Sequence, residues 1–324
     1  MKTFTIDVPD LTELLVALVR QIPKRQATTY GDLARALGDH KAAVWVSEVM
    51  ATPALEPWAH RVVRVNGTPG AFPADALVRL ARDRVPVRDG RVAAEAIWKP
   101  CADDGPLLRL QEFQNALGAR VQTRPLPGRM RSVAGIDVSY RGELGVASYV
   151  QMESGRDEPA WTVTVAVPAS FPYIPGYLAF RELPVYRELL RQVVVADRVA
   201  PVLLVDGAGT LHPRRAGIAT QLGVLINHPT IGVTKHRLCG SVVPDAAYGP
   251  GSGRIVDRGE TVAAMLPPSE RGNRPIYVSP GHRCTLDDAV ALVEQWRAGR
   301  KLPEPIRRAD ALSRAAAKAG LEAT

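Results

Sequence analysis

Apolar residues recur at helical spacing over Leu11–Ile22, and the stretch from Thr29 to Gly38 reads as a short capped helix ended by its glycine. His40–Ala51 reads as a second short helix, and the tight glycine-containing turn between the two predicts helix-turn-helix geometry. Arg61–Pro100 reads as short strands with a helix over Ala74–Asp83. Further on, Leu107–Leu117 has a helical pattern. Val133–Tyr140, Gly145–Met152 and the alternating run Trp161–Val167 read as three strands. A helical stretch over Gly176–Val193 follows, with Pro184 expected to interrupt it. Then come a buried-type strand at Pro201–Val205, a helix near Arg215–Leu225 and a strand at Thr230–Val233.

The pattern breaks once, around Trp98–Pro106, where two prolines, a glycine and paired acids separate apolar segments. With 324 residues, this predicts two domains, at 1–98 and 107–324, joined by a linker at 99–106. Hydrophobic residues make up 46% of the chain and charged residues 23%, which excludes a fibrous or mostly disordered protein. No apolar run reaches the roughly 18 residues that span a bilayer. Asp7 and Asp10 also fall where a signal peptide would need an unbroken apolar core. Three strands, a helix, then alternating strand and helix make a mixed α/β sheet of the ribonuclease-H-like order. The first part is smaller and mainly helical, of winged-helix type.

Charge narrows the partners. The chain carries a formal net charge of +8, which attracts polyanions, nucleic acid foremost. The absence of a basic amphipathic helix speaks against a membrane partner. Three cysteines (Cys101, Cys239, Cys284) show no metal-type pairing and suit reduced thiols in a cytosol, the expected location.

Three acids fall where the predicted strand order makes them converge. Asp137 interrupts an apolar strand, Asp206 ends the strand Val202–Asp206, and Glu182 lies on the helix between them. Asp137 or Asp206 alone reads rather as a strand-end residue capping neighbouring backbone; it is the trio in this order that points to a shared site. A buried carboxylate is costly unless a cation compensates it, and Mg²⁺, which prefers oxygen ligands, is such a cation. Mn²⁺ is expected to substitute. One or two such ions would activate water and stabilise the charge on a phosphodiester being cut.

The segment from Leu107 to about Arg314 resembles endonuclease V, a deoxyinosine-directed repair nuclease. The blocks that carry the likeness are 133–140, 171–182, 205–219, 229–235 and 278–282. The resemblance implies a ribonuclease-H-like fold in which Asp137, Glu182 and Asp206 hold Mg²⁺. It implies His282 beside the metal and Lys235 at the scissile phosphate. Pro172, Tyr173, Ile174 and Pro175 match a wedge that enters the duplex beside the lesion: two prolines stiffen the loop and Tyr173 can stack where a base has left. Gly207 and Gly209 would let the backbone approach the extruded base. His212 is expected to be structural or to contact phosphate. Such enzymes nick the second phosphodiester bond 3′ to the lesion.

Residues Phe4–Trp98 resemble the DNA-binding domain of O6-alkylguanine-DNA alkyltransferases, through Thr28–Gly38 and Trp58–Gly67. The nucleophilic cysteine of that family's Pro-Cys-His-Arg-Val signature is Ala59 here, ahead of His60 and Arg61. The resemblance therefore implies binding without alkyl transfer, as in the alkyltransferase-like proteins that often carry Pro-Trp-His-Arg; here Trp58 precedes Ala59. Tyr30 matches the tyrosine that rotates the target phosphate during base flipping. Val44 stands where the arginine that fills the vacated stack is expected. Arg61 and Arg64 are candidate phosphate contacts.

The expectation is a monomeric fusion of a lesion-binding module with a Mg²⁺-dependent endonuclease acting on damaged duplex or single-stranded DNA, alongside other repair proteins. The rivals are a ribonuclease cutting inosine-containing RNA, and a catalytically silent lesion sensor that recruits repair partners.

Overall fold

The structure, a computed structural model, describes residues 4–101, 104–268 and 274–320. They form two compact units. Residues 8–112 and 171–177 make one, called the helical unit below; 4–7, 113–170 and 178–320 make the other, the sheet unit.

The helical unit is built from short elements. Helix α1 (Leu11–Arg20) starts at Asp10, whose carboxylate accepts the Thr12 and Glu13 N–H groups, and it buries Leu11, Leu15 and Val19 along one stripe. A two-residue strand β1 (Thr28–Thr29) leads into α2 (Tyr30–Ala36). Thr29 caps α2 by accepting the Asp32 N–H while donating to Asp32 Oδ2. Gly38 then turns the chain at φ +106°, a conformation that suits glycine. A 3₁₀ turn (His40–Ala42) runs into α3 (Ala43–Met50), so the second expected helix opens one turn tighter than an α-helix. Then come α4 (Glu56–Ala59), β2 (Val62–Val63), α5 (Ala76–Arg82), β3 (Val87–Arg88) and β4 (Arg91–Val92). β1 pairs parallel with β2, and β3 antiparallel with β4. Ala27, Val63, Leu80, Val85, Val92 and Ala96 form the core beneath them. The described part of the expected linker is seated on this unit: Leu107 N–H donates to the Leu37 carbonyl, and Gly105 lies against the Leu37–Gly38 backbone.

Helix α6 (Pro106–Gly118) contains the boundary between the units. The sheet unit has β5 (Ser132–Arg141), β6 (Leu144–Glu153), β7 (Trp161–Pro168), α7 (Leu178–Val195), β8 (Leu203–Asp206), α8 (Ile218–Ile226) and β9 (Thr230–Thr234). It continues with β10 (Ser241–Pro244), β11 (Gly253–Asp257), β12 (Glu260–Leu266), β13 (Ile276–His282), α9 (Leu286–Arg297) and α10 (Glu304–Ala319). Nine strands form one mixed sheet in the order β10-β11-β12-β13-β9-β8-β5-β6-β7, with β5, β8 and β9 parallel at its centre. Pro184 does not interrupt α7. It lies inside a continuous helix whose buried face (Leu183, Val185, Tyr186, Leu189, Leu190, Val193) outweighs the one backbone bond a proline removes.

Strand alternation separates two layers. Val133 faces the core shared with α9 and α10, while Ala134 and Ile136 face the core shared with α7 and α8. By the same parity Gly135 and Asp137 face α10. A Cβ at Gly135 would run into the backbone of Pro305 and Ile306, so glycine lets α10 lie close on β5.

Candidate active site and nucleic-acid interface

Asp137 and Asp206 stand on adjacent parallel strands just beyond the register pair Ile136–Val205. Both project toward α10, because Val133 and Leu204, at even offsets from them, face that layer. From α10 comes a third carboxylate, Asp310. One oxygen from each of Asp137, Asp206 and Asp310 lies within 4.8 Å of the others. Ser313, one helical turn after Asp310, donates to Asp137 Oδ2 at 2.6 Å and shares a 2.8 Å hydrogen bond with Ser139. Lys235, just past β9, places Nζ 3.2 Å from Asp206 Oδ2. Arg314 pairs with Asp310 at 2.9 Å.

Glu182 reaches the same region from α7, on the opposite layer, and is not part of the tight group of three. It is 7% exposed, and its Oε2 is buried without a hydrogen-bond partner. Burial, then the charges of Asp137 and Asp206, pushes its carboxyl well above the usual range. Burial also raises Asp137, to about 6, against the lowering hydrogen bond from Ser313. It raises Asp206 as well, against Lys235. Four converging carboxylates against Lys235, Arg314 and Arg181 leave excess negative charge in a low-dielectric place. The orphaned Glu182 oxygen and the all-oxygen donor set fit a hard divalent cation, whose charge would reverse these shifts.

Asp310 and Ser313 escaped the sequence reading. Their one signal is a serine set in the buried stripe Ile306, Ala309, Ser313, Ala317 of an otherwise ordinary amphipathic helix.

His282 is not brought to the acids. In β13 it pairs with Thr230 at the start of β9, level with Leu203, whereas Asp206 is level with Val233. Three residues of strand put it roughly 10 Å back along the sheet axis. Its Nδ1 accepts the Gln122 N–H at 3.3 Å, and its Nε2 lies 3.5 Å from Asn227 Oδ1. Burial, then Arg283, Arg120 and Arg124, lowers its pKa to about 4, so it stays neutral at physiological pH. His212 is buried and accepts the Arg214 N–H through Nδ1 at 3.2 Å, as a structural residue does. Gly207 and Gly209 serve protein packing: a Cβ at the first would strike Ile218, and at the second the Pro280 carbonyl. Gly209 N–H also donates to Ser279 Oγ at 2.8 Å.

In the segment 171–177, Phe171 and Ile174 are buried and Pro172 is half-buried, while Pro175 is exposed and Tyr173 is 64% exposed. An aromatic ring stands out to solvent from a loop stiffened on both sides.

Among the other candidates of the helical unit, Ala59 is buried, leaving a methyl group at the nucleophile position. The His60 imidazole lies 2.7 Å from Asp83 Oδ2. Arg61 turns inward, donating to the Ile22 and Pro23 carbonyls that follow α1, and burial lowers its pKa. Trp58 packs under the Arg20 guanidinium, 5.4 Å from the ring centroid. The Tyr30 hydroxyl lies against Gly70, and burial raises its pKa. Arg64 is exposed, as is Val44 on α3, at 70%.

A ribonuclease-H-like sheet with carboxylates gathered at adjacent strand ends beside a lysine defines a nuclease, here in one chain with a helix-turn-helix unit of DNA-binding type. The family model for endonuclease V matches residues 115–311, and the model for the 6-O-methylguanine DNA methyltransferase DNA-binding domain matches residues 10–84. The chain belongs to the endonuclease V family, as a DNA repair endonuclease fused to an alkyltransferase-like DNA-binding domain. It is 33% identical over 315 residues to a bifunctional methyltransferase/endonuclease of Thermoplasma volcanium, covering 94% of this chain and 90% of that one. It is 41% identical over 205 residues to endonuclease V of Geotalea uraniireducens, covering 63% of this chain and 86% of that protein. Human ENDOV matches with a TM-score of 0.59 at 32% identity, over 66% of this chain and all of that one. Endonuclease V of Ciona intestinalis, solved with a 23mer DNA containing an inosine followed by a ribo-adenosine, matches at TM-score 0.59 and 28% identity, over 66% of this chain and 97% of that one.

Proposed function

We propose that the chain nicks DNA at the second phosphodiester bond 3′ to deoxyinosine, using Mg²⁺ with Mn²⁺ as a substitute. The observation that carries this reading is the meeting of Asp137, Asp206 and Asp310 within 4.8 Å, with Lys235 on Asp206 and Glu182 behind them. Asp137, Asp206, Asp310 and Glu182 are the residues that would hold the cation. When bound, a divalent ion there neutralises the acids and supplies Lewis acidity for phosphodiester hydrolysis. Ser313 holds Asp137 in one orientation through its 2.6 Å hydrogen bond. Lys235 opposes the burial that raises the Asp206 carboxyl and offers its remaining N–H donors to a phosphate oxygen. Tyr173 and its flanking prolines form the wedge, with an exposed ring free to stack on a base beside the lesion.

The helical unit binds DNA without alkyl transfer, since Ala59 offers no thiolate. Its inward-turned His60 and Arg61 support a scaffold role for that strand-end segment and leave phosphate contacts to exposed groups such as Arg64. The chain acts as a monomer on damaged DNA, in a reducing cytoplasm that suits its three cysteines, alongside other repair proteins. The test is nicking of a duplex with one deoxyinosine in Mg²⁺ by the intact chain and by Asp137→Ala. A single nick 3′ to the lesion, lost in the variant, supports the reading; binding without a nick gives the chain to the silent-sensor reading. Cutting confined to ribose-containing strands gives it to the ribonuclease reading.

A further inference from the structure

The segment Phe171–Tyr177 is threaded between β7 and α7, yet it packs as part of the helical unit. The tie is short and chemical. Tyr177 is fully buried, and its phenol donates to Asp39 Oδ2 at 2.7 Å. Gln111 Nε2 donates to the same phenol oxygen at 2.7 Å and lies 3.4 Å from the Gly38 carbonyl. The other Asp39 oxygen accepts the Lys41 N–H at 3.0 Å, which caps the 3₁₀ turn leading into α3.

One carboxylate therefore fixes both the entry to the second helix of the helix-turn-helix and the residue two positions beyond Pro175. Within the segment, Tyr177 N–H donates to the Ile174 carbonyl at 2.9 Å across Gly176, which takes φ +87°. That turn carries the position of the phenol back to Pro172–Pro175. Phe171 and Ile174 are buried within the same segment, while Tyr173 stands outward.

We propose that Asp39, acting through Tyr177, seats the Pro172–Pro175 wedge, so that the DNA-binding unit sets how the wedge enters a duplex. Asp39 and Tyr177 are positioning residues for lesion opening. Stand-alone nucleases lacking the helical unit have no Asp39 to offer, so the seat is a property of this fusion. The inference rests on the wedge reading above.

The test uses the full chain with Tyr177→Phe and Asp39→Asn. The first removes the phenol hydroxyl, and with it both the bond to Asp39 and the one from Gln111, while the second removes the Asp39 charge and keeps an oxygen for the Lys41 cap. The probe is a duplex carrying 2-aminopurine beside deoxyinosine, without added divalent cation so that no strand is cut. Opening of the stack raises the fluorescence of 2-aminopurine. With saturating protein the rise falls at least about threefold in each variant, in line with loss of one charge-assisted hydrogen bond. The double variant is no worse than Tyr177→Phe alone, because that substitution already removes the bond to Asp39. A full rise in both single variants, or a loss confined to one of them, overturns the seat. No rise with the unaltered chain overturns the wedge reading itself.

Discussion

Removing the Ser313 hydroxyl isolates what α10 contributes to the acid cluster. In the structure that hydroxyl is the hydrogen-bond donor to Asp137 Oδ2, at 2.6 Å, and it opposes the burial that raises Asp137 to about 6. A hydrogen bond to a charged group contributes about 1.5–3 kcal/mol, equivalent to about one to two pK units between the two protonation states. In Ser313→Ala, the Asp137 carboxyl should be pushed further up without metal, so that a larger share of it is protonated at neutral pH. A proton and a divalent cation compete for the same oxygens, and metal affinity falls accordingly.

The assay is the Mg²⁺ concentration that gives half-maximal nicking, measured for both proteins across pH. Ser313→Ala should need about five- to tenfold more metal near pH 6.5, with the gap closing to about twofold or less near pH 9, where both carboxyls are ionised. A gap of equal size at both ends would refute the reasoning, because it would assign Ser313 a purely geometric role. No gap at either end would remove Ser313 from the site.

The other predictions concern residues whose structural setting decides their role. Glu182 has a folded-state pKa raised by burial, so without metal the wild-type chain loses stability as pH rises above the ordinary carboxyl range. Glu182→Gln should therefore be more stable than the metal-free wild type near pH 8, by about 1–4 kcal/mol, with a higher melting point, and converge with it near pH 5, while losing nicking. A lower melting point near pH 8 in differential scanning calorimetry would sink this account. Asp310→Asn should lower single-turnover nicking by about a thousandfold, whereas His282→Ala should cost stability and leave the rate within about tenfold. The reverse ranking would return His282 to the chemistry. Arg61→Ala loses donors to two backbone carbonyls and should destabilise the helical unit by about 1–3 kcal/mol with the salt dependence of DNA binding unchanged. A fall of about one in the slope of log K against log salt would instead make Arg61 a phosphate contact.

Sequence alone determined the parts whose signal is local. The strand over Trp161–Val167 and the capped helix from Thr29 to its glycine are written within a few residues, and the structure forms them as read. Asp137, at an inward position of an otherwise apolar strand, and Asp206, at a strand end, were legible because a carboxylate there needs a reason. The helix-turn-helix and the mixed sheet followed from the same short-range patterns.

Only the tertiary structure decided what crosses between distant segments. Asp310 comes some 170 residues after Asp137 and reaches it because Gly135 lets α10 lie close on β5. His282 sits in a motif that fits the site by family likeness, yet the antiparallel register of β13 on β9 carries it to the other end of the strands. Arg61 looks like a phosphate contact in sequence, but folding turns it inward to the carbonyls after α1. Asp39 and Tyr177, 138 residues apart, meet only in the folded chain. Local composition fixes which elements form, because backbone conformation and one-sided burial are short-range. Which side chains face each other depends on strand order, register and the close approach of helices, and these are settled only when the layers pack.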